Sequence, residues 1–94
     1  MALSLESRLA PALDVLINVV EGQSVLLNLK TERYFSLDEV GTSMWHAMTS
    51  SASLRAACDR LLAEYDAEPA RVETDLRELA EKLVENGLLE VRSG

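Results

Sequence analysis

The spacing of hydrophobic positions along the chain changes once, near Asp38. Before it, short runs with the two-residue period of strands predict strands over residues 14–20, 24–30 and 33–37. In the middle run, one set of alternating positions holds Val25, Leu27 and Leu29, and the other holds Ser24, Leu26 and Asn28. This period predicts a strand with one core face. Short polar turns between the runs predict an antiparallel meander.

Beyond Asp38 the apolar positions recur at helical spacing and predict three helices. Asp38 suits the N-cap of the first helix, because its carboxylate can accept the free N–H groups of the first turn. The serine-rich break at residues 50–53 precedes a second helix, whose apolar stripe continues to Tyr65. Pro69 suits the first turn of the third helix. Gly87 supplies a left-handed cap at its end.

A strand meander followed by three helices predicts a small α+β domain of winged-helix type, with the meander as the wing. The domain is predicted to cover residues 14–94. Residues 1–13 contain spaced leucines and Pro11 without a firm period, which predicts a partly ordered N-terminal arm. Residues 88–91 are predicted either to close the sheet or to pack beneath it. A chain of 94 residues suits one domain with a modest, largely aliphatic core.

Residues 32–45 carry a motif in which an aromatic strand runs directly into a capped helix. The motif positions are Phe35, Leu37-Asp38, Gly41 and Met44-Trp45. Together with the two following helices and the closing segment 86–89, the order of elements resembles the PqqD-like family from about residue 15 to residue 91. The resemblance implies a RiPP recognition element, which holds the leader of a ribosomally made precursor peptide while partner enzymes modify or cut it. It is most similar to the free-standing type of lasso-peptide pathways.

The predicted strand 33–37 is the last strand of the meander, so it can present free N–H and C=O groups to an extended peptide. The family resemblance implies that the third helix forms the facing wall of the peptide site. The candidate peptide-binding residues are Arg33, Tyr34, Phe35, Ser36 and Leu37 on the strand and Arg71, Val72, Asp75, Leu76, Leu79 and Lys82 on the helix. The period of two places Phe35 and Leu37 on one face of the strand and Tyr34 and Ser36 on the other.

Two questions about this site stay open at the level of the pattern. Spacing alone does not separate the apolar helix residues that form a groove floor from those that form the core. The strand edge also has alternative occupants, namely the arm at residues 1–13 or a second copy of the chain, which would make a homodimer.

The formal net charge of −7 argues against nucleic acid as a partner, because phosphate binding requires clustered Lys and Arg. The third helix, which would read DNA in a winged-helix regulator, is rich in Glu and Asp. Its acidic pairs have the spacing of a hydrated surface. A transcription regulator is therefore the less favoured alternative.

Neither a catalytic constellation nor a cofactor site emerges from the residue types. His46 and Cys58 are the only histidine and the only cysteine, and Cys58 falls within an apolar stripe where a thiol packs as an inert hydrophobe. The glycines are isolated, so they form no phosphate-binding loop. Trp45 is expected to be a packing anchor. These residue types predict no cofactor and no metal. The lone cysteine predicts a cytoplasmic protein, and apolar runs too short for a bilayer predict a soluble one.

The predicted function is therefore a non-catalytic protein that binds a precursor leader by strand addition. It would present the leader to the maturation enzymes of its pathway, most favourably a lasso-peptide leader peptidase and cyclase. The alternative within the family is a PqqD-type chaperone that delivers its peptide to a radical enzyme.

Overall fold

A computed structural model describes residues 3–92, which contain five strands and three helices. The elements are β1 (Arg8–Pro11), β2 (Val15–Val20), β3 (Gln23–Asn28), β4 (Arg33–Leu37), α1 (Glu39–Ser50), α2 (Leu54–Glu64), α3 (Pro69–Glu85) and β5 (Leu89–Arg92). Strands β2, β3 and β4 pair in sequence order as an antiparallel meander, and the three helices follow it directly. The predicted α+β class is confirmed.

Two turns with left-handed residues connect the meander. Glu21 and Gly22 have φ values of 54° and 81°, the signature of the two-residue type I′ turn that matches the twist of a hairpin. The β3–β4 loop ends at Glu32, also left-handed, whose N–H donates to the Asn28 C=O at 2.8 Å. The Asn28 side chain accepts from the Lys30 N–H at 2.9 Å. These bonds fix the point at which β4 begins.

The core face of β3 is the less apolar of its two alternating sets. Ser24, Leu26 and Asn28 are buried, whereas Val25 and Leu29 are exposed on the outer face of the sheet. The buried polar groups are satisfied from distant parts of the chain. The Ser24 and Thr42 hydroxyls share a hydrogen bond of 2.7 Å, and Asn28 Nδ2 donates to the Gly87 C=O at 2.9 Å. A polar residue can occupy a core face when its partners are in place.

The helix boundaries follow the predicted caps. Asp38 Oδ1 accepts the Gly41 N–H at 2.8 Å at the start of α1, and Ser53 caps α2 through the Ala56 N–H. Helix α3 begins at Pro69 and is followed by Gly87 with a φ of 71°. Trp45 lies on the buried face of α1 with 3% of its surface exposed, and it belongs to the hydrophobic core as expected for a packing anchor.

The described part of the N-terminal segment contains one strand. Residues 8–11, within the predicted partly ordered arm, form β1, which pairs antiparallel with β5 in a separate two-stranded sheet. Leu3 and Leu9 belong to the hydrophobic core. The Ser7 C=O accepts the Leu54 N–H at 2.8 Å and so ties the segment to α2. The described part of the segment thus contributes to the fold and leaves the edge of β4 uncovered.

Candidate functional site

A groove runs between β4 and the C-terminal two-thirds of α3, with a volume of about 510 Å³. It is lined by Phe35, Ser36, Leu37, Asp38, Gly41, Asp75, Glu78, Leu79, Glu81, Lys82 and Glu85. We refer to it as the β4–α3 groove. One wall is a sheet edge, to which an extended peptide can add as a strand, and the other wall is a helix face.

One cross-strand bond fixes the direction of every backbone group in the meander. The Leu29 N–H donates to the Asp14 C=O at 2.8 Å, and continuation of the β2–β3 register places these two residues opposite each other. In an antiparallel ladder, hydrogen-bonded pairs of opposite residues recur at every second position. Val25 and Leu27 of β3 therefore direct their N–H and C=O groups toward β2.

The intervening residues of β3 direct theirs toward β4. Among them Leu26 lies opposite Phe35, so Phe35 directs its N–H and C=O groups to β3. Tyr34 and Ser36 therefore direct their N–H and C=O groups away from the sheet. No strand of residues 3–92 pairs on that side of β4. These four groups, two donors and two acceptors, form what we call the open edge.

The side chains of β4 divide as the strand period predicts. Phe35 is half-buried and Leu37 is buried, and both line the groove. Tyr34 projects from the outer face of the sheet with 73% of its surface exposed. An extended peptide that pairs with the open edge would have the same alternation, with every second side chain directed into the groove.

Helix α3 crosses the groove antiparallel to β4. Asn28, which lies opposite Arg33 at the start of β4, donates its side-chain N–H to the Gly87 C=O just beyond the helix. Near the other end of β4, Asp75 lines a smaller pocket together with Val40 and Met44 of α1, the helix that follows β4. A peptide that adds antiparallel to β4 would therefore run in the same direction as α3.

The residues predicted for the peptide site separate into three groups. Phe35, Ser36, Leu37, Asp75, Leu79 and Lys82 line the β4–α3 groove. Val72 and Leu76 are 8% and 0% exposed and belong to the core, the alternative that spacing alone left open. Arg33, Tyr34 and Arg71 do not line the groove. Contact of any of these residues with a leader stays a prediction.

Several groove residues were not among the predicted site residues, and most of them are acidic. They are Asp38, Gly41, Glu78, Glu81 and Glu85. The sequence signal that could have found them is their spacing, because positions 78, 81 and 85 share one face of a helix with the predicted residues 75 and 82. Apart from Asp75, the sequence pattern predicted only a hydrated surface for the acids of this helix.

Residues 23–89 match the family model described as Coenzyme PQQ synthesis protein D (PqqD). This match covers more than half of the chain and begins with β3. The chain belongs to the PqqD family. The resemblance that the motif at residues 32–45 predicts is thereby confirmed. None of the curated proteins compared with the chain is a significant match.

Two solved structures share this PqqD-family fold. One is described as TbiB1 in complex with the TbiA(beta) leader peptide, with a TM-score of 0.81 and 30% identity, covering 90% of this chain and 99% of that chain. The other is lasso peptide synthetase B1 complexed with the leader peptide, with a TM-score of 0.78 and 20% identity, covering 88% and 98%. The second likeness shows the fold alone.

In the described part of this PqqD-family protein, the residues that could bind a metal ion or act as a nucleophile are not clustered. Within residues 3–92, no three His, Cys, Asp or Glu side chains are grouped so that they could hold a metal ion. His46 is exposed on α1, whereas Cys58 is buried on α2. A bilayer-spanning helix, long and apolar enough for that role, is likewise not found in this part of the chain.

Cys58 is expected to be a poor nucleophile. Burial raises the pKa of its thiol, and the Glu73 and Asp59 carboxylates raise that pKa further, against the opposing effect of Arg77 and Arg55. We expect the native protein to react with Ellman's reagent at pH 8 at least about tenfold more slowly than the urea-unfolded chain, because only the accessible thiolate reacts. Equal rates in the two states would contradict the burial of this thiol.

Proposed function

We propose that the protein is a non-catalytic recognition protein that binds the leader of a ribosomally synthesised precursor peptide. The leader adds as a strand to the open edge of β4 and places alternate side chains in the β4–α3 groove. The protein then presents the bound precursor to cytoplasmic maturation enzymes, a lasso-peptide leader peptidase and cyclase. The observation that carries this proposal is the open edge itself, which lies beside a groove in a fold shared with leader-peptide complexes.

The energetics favour an extended peptide as the ligand. Each backbone hydrogen bond contributes about 1 kcal/mol net, and the groups of Tyr34 and Ser36 offer up to four. The edge strand is held by its ladder to β3, so that mainly the peptide must be ordered on binding. The half-buried Phe35 and Leu79 provide apolar surface for one of the peptide's side chains.

The PqqD family match supports a second candidate, a chaperone that delivers its peptide to a radical enzyme. Both candidates use the same edge and groove, so the partner enzyme distinguishes them. Capture of enzymes from the native host by the leader-loaded protein separates the two proposals. Recovery of a peptidase supports the first, and recovery of a radical enzyme supports the second.

Titration of the leader from the short precursor encoded beside this chain's gene tests the proposal. We expect micromolar or tighter affinity, about −8 kcal/mol or better, and an unchanged peptide mass after incubation. A scrambled leader is the control. Cleavage or modification by the pure protein would exclude a purely recognitive role, and equal binding of the scrambled peptide would exclude specific recognition.

Hydrogen exchange measured by NMR locates the bound leader on the open edge. The Phe35 N–H is bonded to β3 with or without leader, so its protection should change little. The Tyr34 and Ser36 N–H groups should exchange rapidly in the free protein and become protected in the complex. Self-association through the same edge would instead protect them in the absence of leader, in proportion to protein concentration.

A further inference from the structure

We propose that the β4–α3 groove selects leaders that carry a Lys or Arg at the groove-facing position opposite Leu37. An apolar residue would follow two positions later, opposite Phe35. This inference rests on the proposed function and specifies the substrate class of the same site. It follows from the charge of the groove walls and from the direction in which α3 crosses β4.

The groove is strongly acidic for its size. Five carboxylates line it, and Lys82 is the only basic side chain among the lining residues. Asp75 has one exposed ion-pair partner, Arg71, at 3.8 Å. Within residues 3–92, no Lys or Arg lies within ion-pair distance of Glu78, Glu81 or Glu85. The opposite face of the helix differs, because there Glu73 is paired with Arg77 at 3.3 Å.

A bound leader changes the environment of these carboxylates. In the free protein they are hydrated, and their mutual repulsion is screened by salt. A peptide that lies between β4 and α3 displaces part of that water. An apolar or acidic side chain beside them would leave charge desolvated without compensation, whereas an ammonium or guanidinium group would pair with it. The groove therefore discriminates against acidic leaders as well as favouring basic ones.

The position of the basic residue follows from the strand pairing. Peptide residues opposite Leu37 and Phe35 face the groove, and the residue between them faces outward. Asp38, Asp75 and Glu78 all line the groove. Because α3 crosses antiparallel to β4, we place them nearest the position opposite Leu37. The position opposite Phe35 lies beside Leu79. An antiparallel peptide meets Leu37 before Phe35, so the pattern is basic, any residue, apolar.

The acid-rich wall also has the polarity expected for rapid capture of such a peptide. The whole chain carries a net charge of −7, and the groove concentrates carboxylates on one of its sides. A cationic peptide would be drawn toward this side at low ionic strength. Affinity for a basic peptide should therefore fall as salt rises from about 50 to 500 mM, and affinity for its neutral analogue should change much less.

Selection from a displayed library of random 12-residue peptides tests the proposal without knowledge of the natural leader. The expected result is enrichment of Lys or Arg two positions before an apolar residue among the bound peptides. In a selected peptide, Lys→Glu at that position should weaken binding at least tenfold. The same change at the next, outward-facing position should weaken it less than threefold.

A matched pair of protein variants assigns the effect to the groove. The Asp75→Asn, Glu78→Gln variant should lose the preference for a basic residue while it remains folded, because both side chains are solvent-exposed. The Asp59→Asn, Glu64→Gln variant changes the net charge equally on α2, outside the groove, and should retain the preference. An equal loss of the preference for a basic residue in the two variants would show that overall charge causes it, and this result would overturn the proposal.

The selection also separates this inference from the function on which it rests. The selected peptides could bind the parent protein and lose affinity for the Ser36→Pro variant, yet show no enrichment of Lys or Arg. This result would overturn the inference and leave leader recognition intact. A failure to select any peptide sensitive to Ser36→Pro would instead contradict strand addition, and the charge preference would fall with it.

Discussion

Proline substitutions along β4 are expected to affect either leader binding or folding. The outcome depends on whether the lost N–H points to the open edge or bonds to β3. Ser36→Pro removes an N–H that points to the open edge, so the fold should persist while leader binding weakens by at least about 1 kcal/mol. Phe35→Pro removes an N–H that bonds to Leu26 in β3. It should lower the unfolding free energy by about 2 kcal/mol or more, because the buried ladder loses a bond and the ring crowds the neighbouring strand.

Thermal melts and leader titrations measure the two effects on the same samples. For a domain of this size, the loss expected for Phe35→Pro corresponds to a fall in Tm of roughly 8 °C or more. Tyr34→Pro should behave as Ser36→Pro does. Ser36→Ala is the matched control, because it removes the hydroxyl but keeps the backbone N–H, and it should bind like the parent. If the folded Tyr34→Pro and Ser36→Pro variants both bound the leader normally, strand addition at the open edge would be excluded. The side chains of the β4–α3 groove alone would then have to recognise the leader.

Trp45→Ala should be among the most destabilising single substitutions in the domain. Trp45 is nearly fully buried in the hydrophobic core, and truncation of such a side chain costs about 3–5 kcal/mol. That is a large fraction of the stability of a small domain, typically about 5–15 kcal/mol. Urea denaturation followed by circular dichroism measures the change.

The neighbouring residue provides the control for Trp45. His46 is exposed on the same helix, so His46→Ala should change the unfolding free energy by less than about 0.5 kcal/mol. A loss of less than about 1 kcal/mol for Trp45→Ala would show that the core closes around the missing indole, and the role of packing anchor would have to be given up.

The features that could be predicted from the sequence are those determined by neighbouring residues. The Asp38 cap depends on the N–H of Gly41, three residues away, and Pro69 acts within its own turn. The period of two before Asp38 and the helical period after it likewise arise from local geometry. For this reason the meander, the three helices and their limits agree with the structure to within two residues.

The features that could not be predicted depend on partners far away in the chain. Strands β1 and β5 are four residues each, and neither has a clear pattern until the other is placed beside it. The core face of β3 contains Ser24 and Asn28, whose partners are Thr42 and Gly87. Hydrophobicity alone would favour the opposite face, because it does not register satisfied polar groups.

The candidate site shows the same division. The open edge could be expected from the position of β4 at the end of a meander. Which residues of β4 direct their N–H and C=O groups outward could be determined only from a cross-strand hydrogen bond in the structure. On α3, Leu76 faces the core and Leu79 lines the groove, although the two leucines are only one helical turn apart. A few tens of degrees of helix rotation decide between these roles, and a sequence pattern does not fix rotation to that accuracy.

The alternation of outward and inward backbone groups along β4 also restricts the register of a bound precursor. A precursor paired with Tyr34 and Ser36 cannot slip by one residue, because such a slip would turn its groove-facing side chains outward. It can shift only in steps of two residues, about 7 Å along the strand. If a second enzyme cuts the bound precursor, as we propose, the positions of the cleaved bond relative to β4 would differ only in steps of two residues. A leader lengthened by two residues between the paired segment and that bond would move the bond one such step farther from the paired segment.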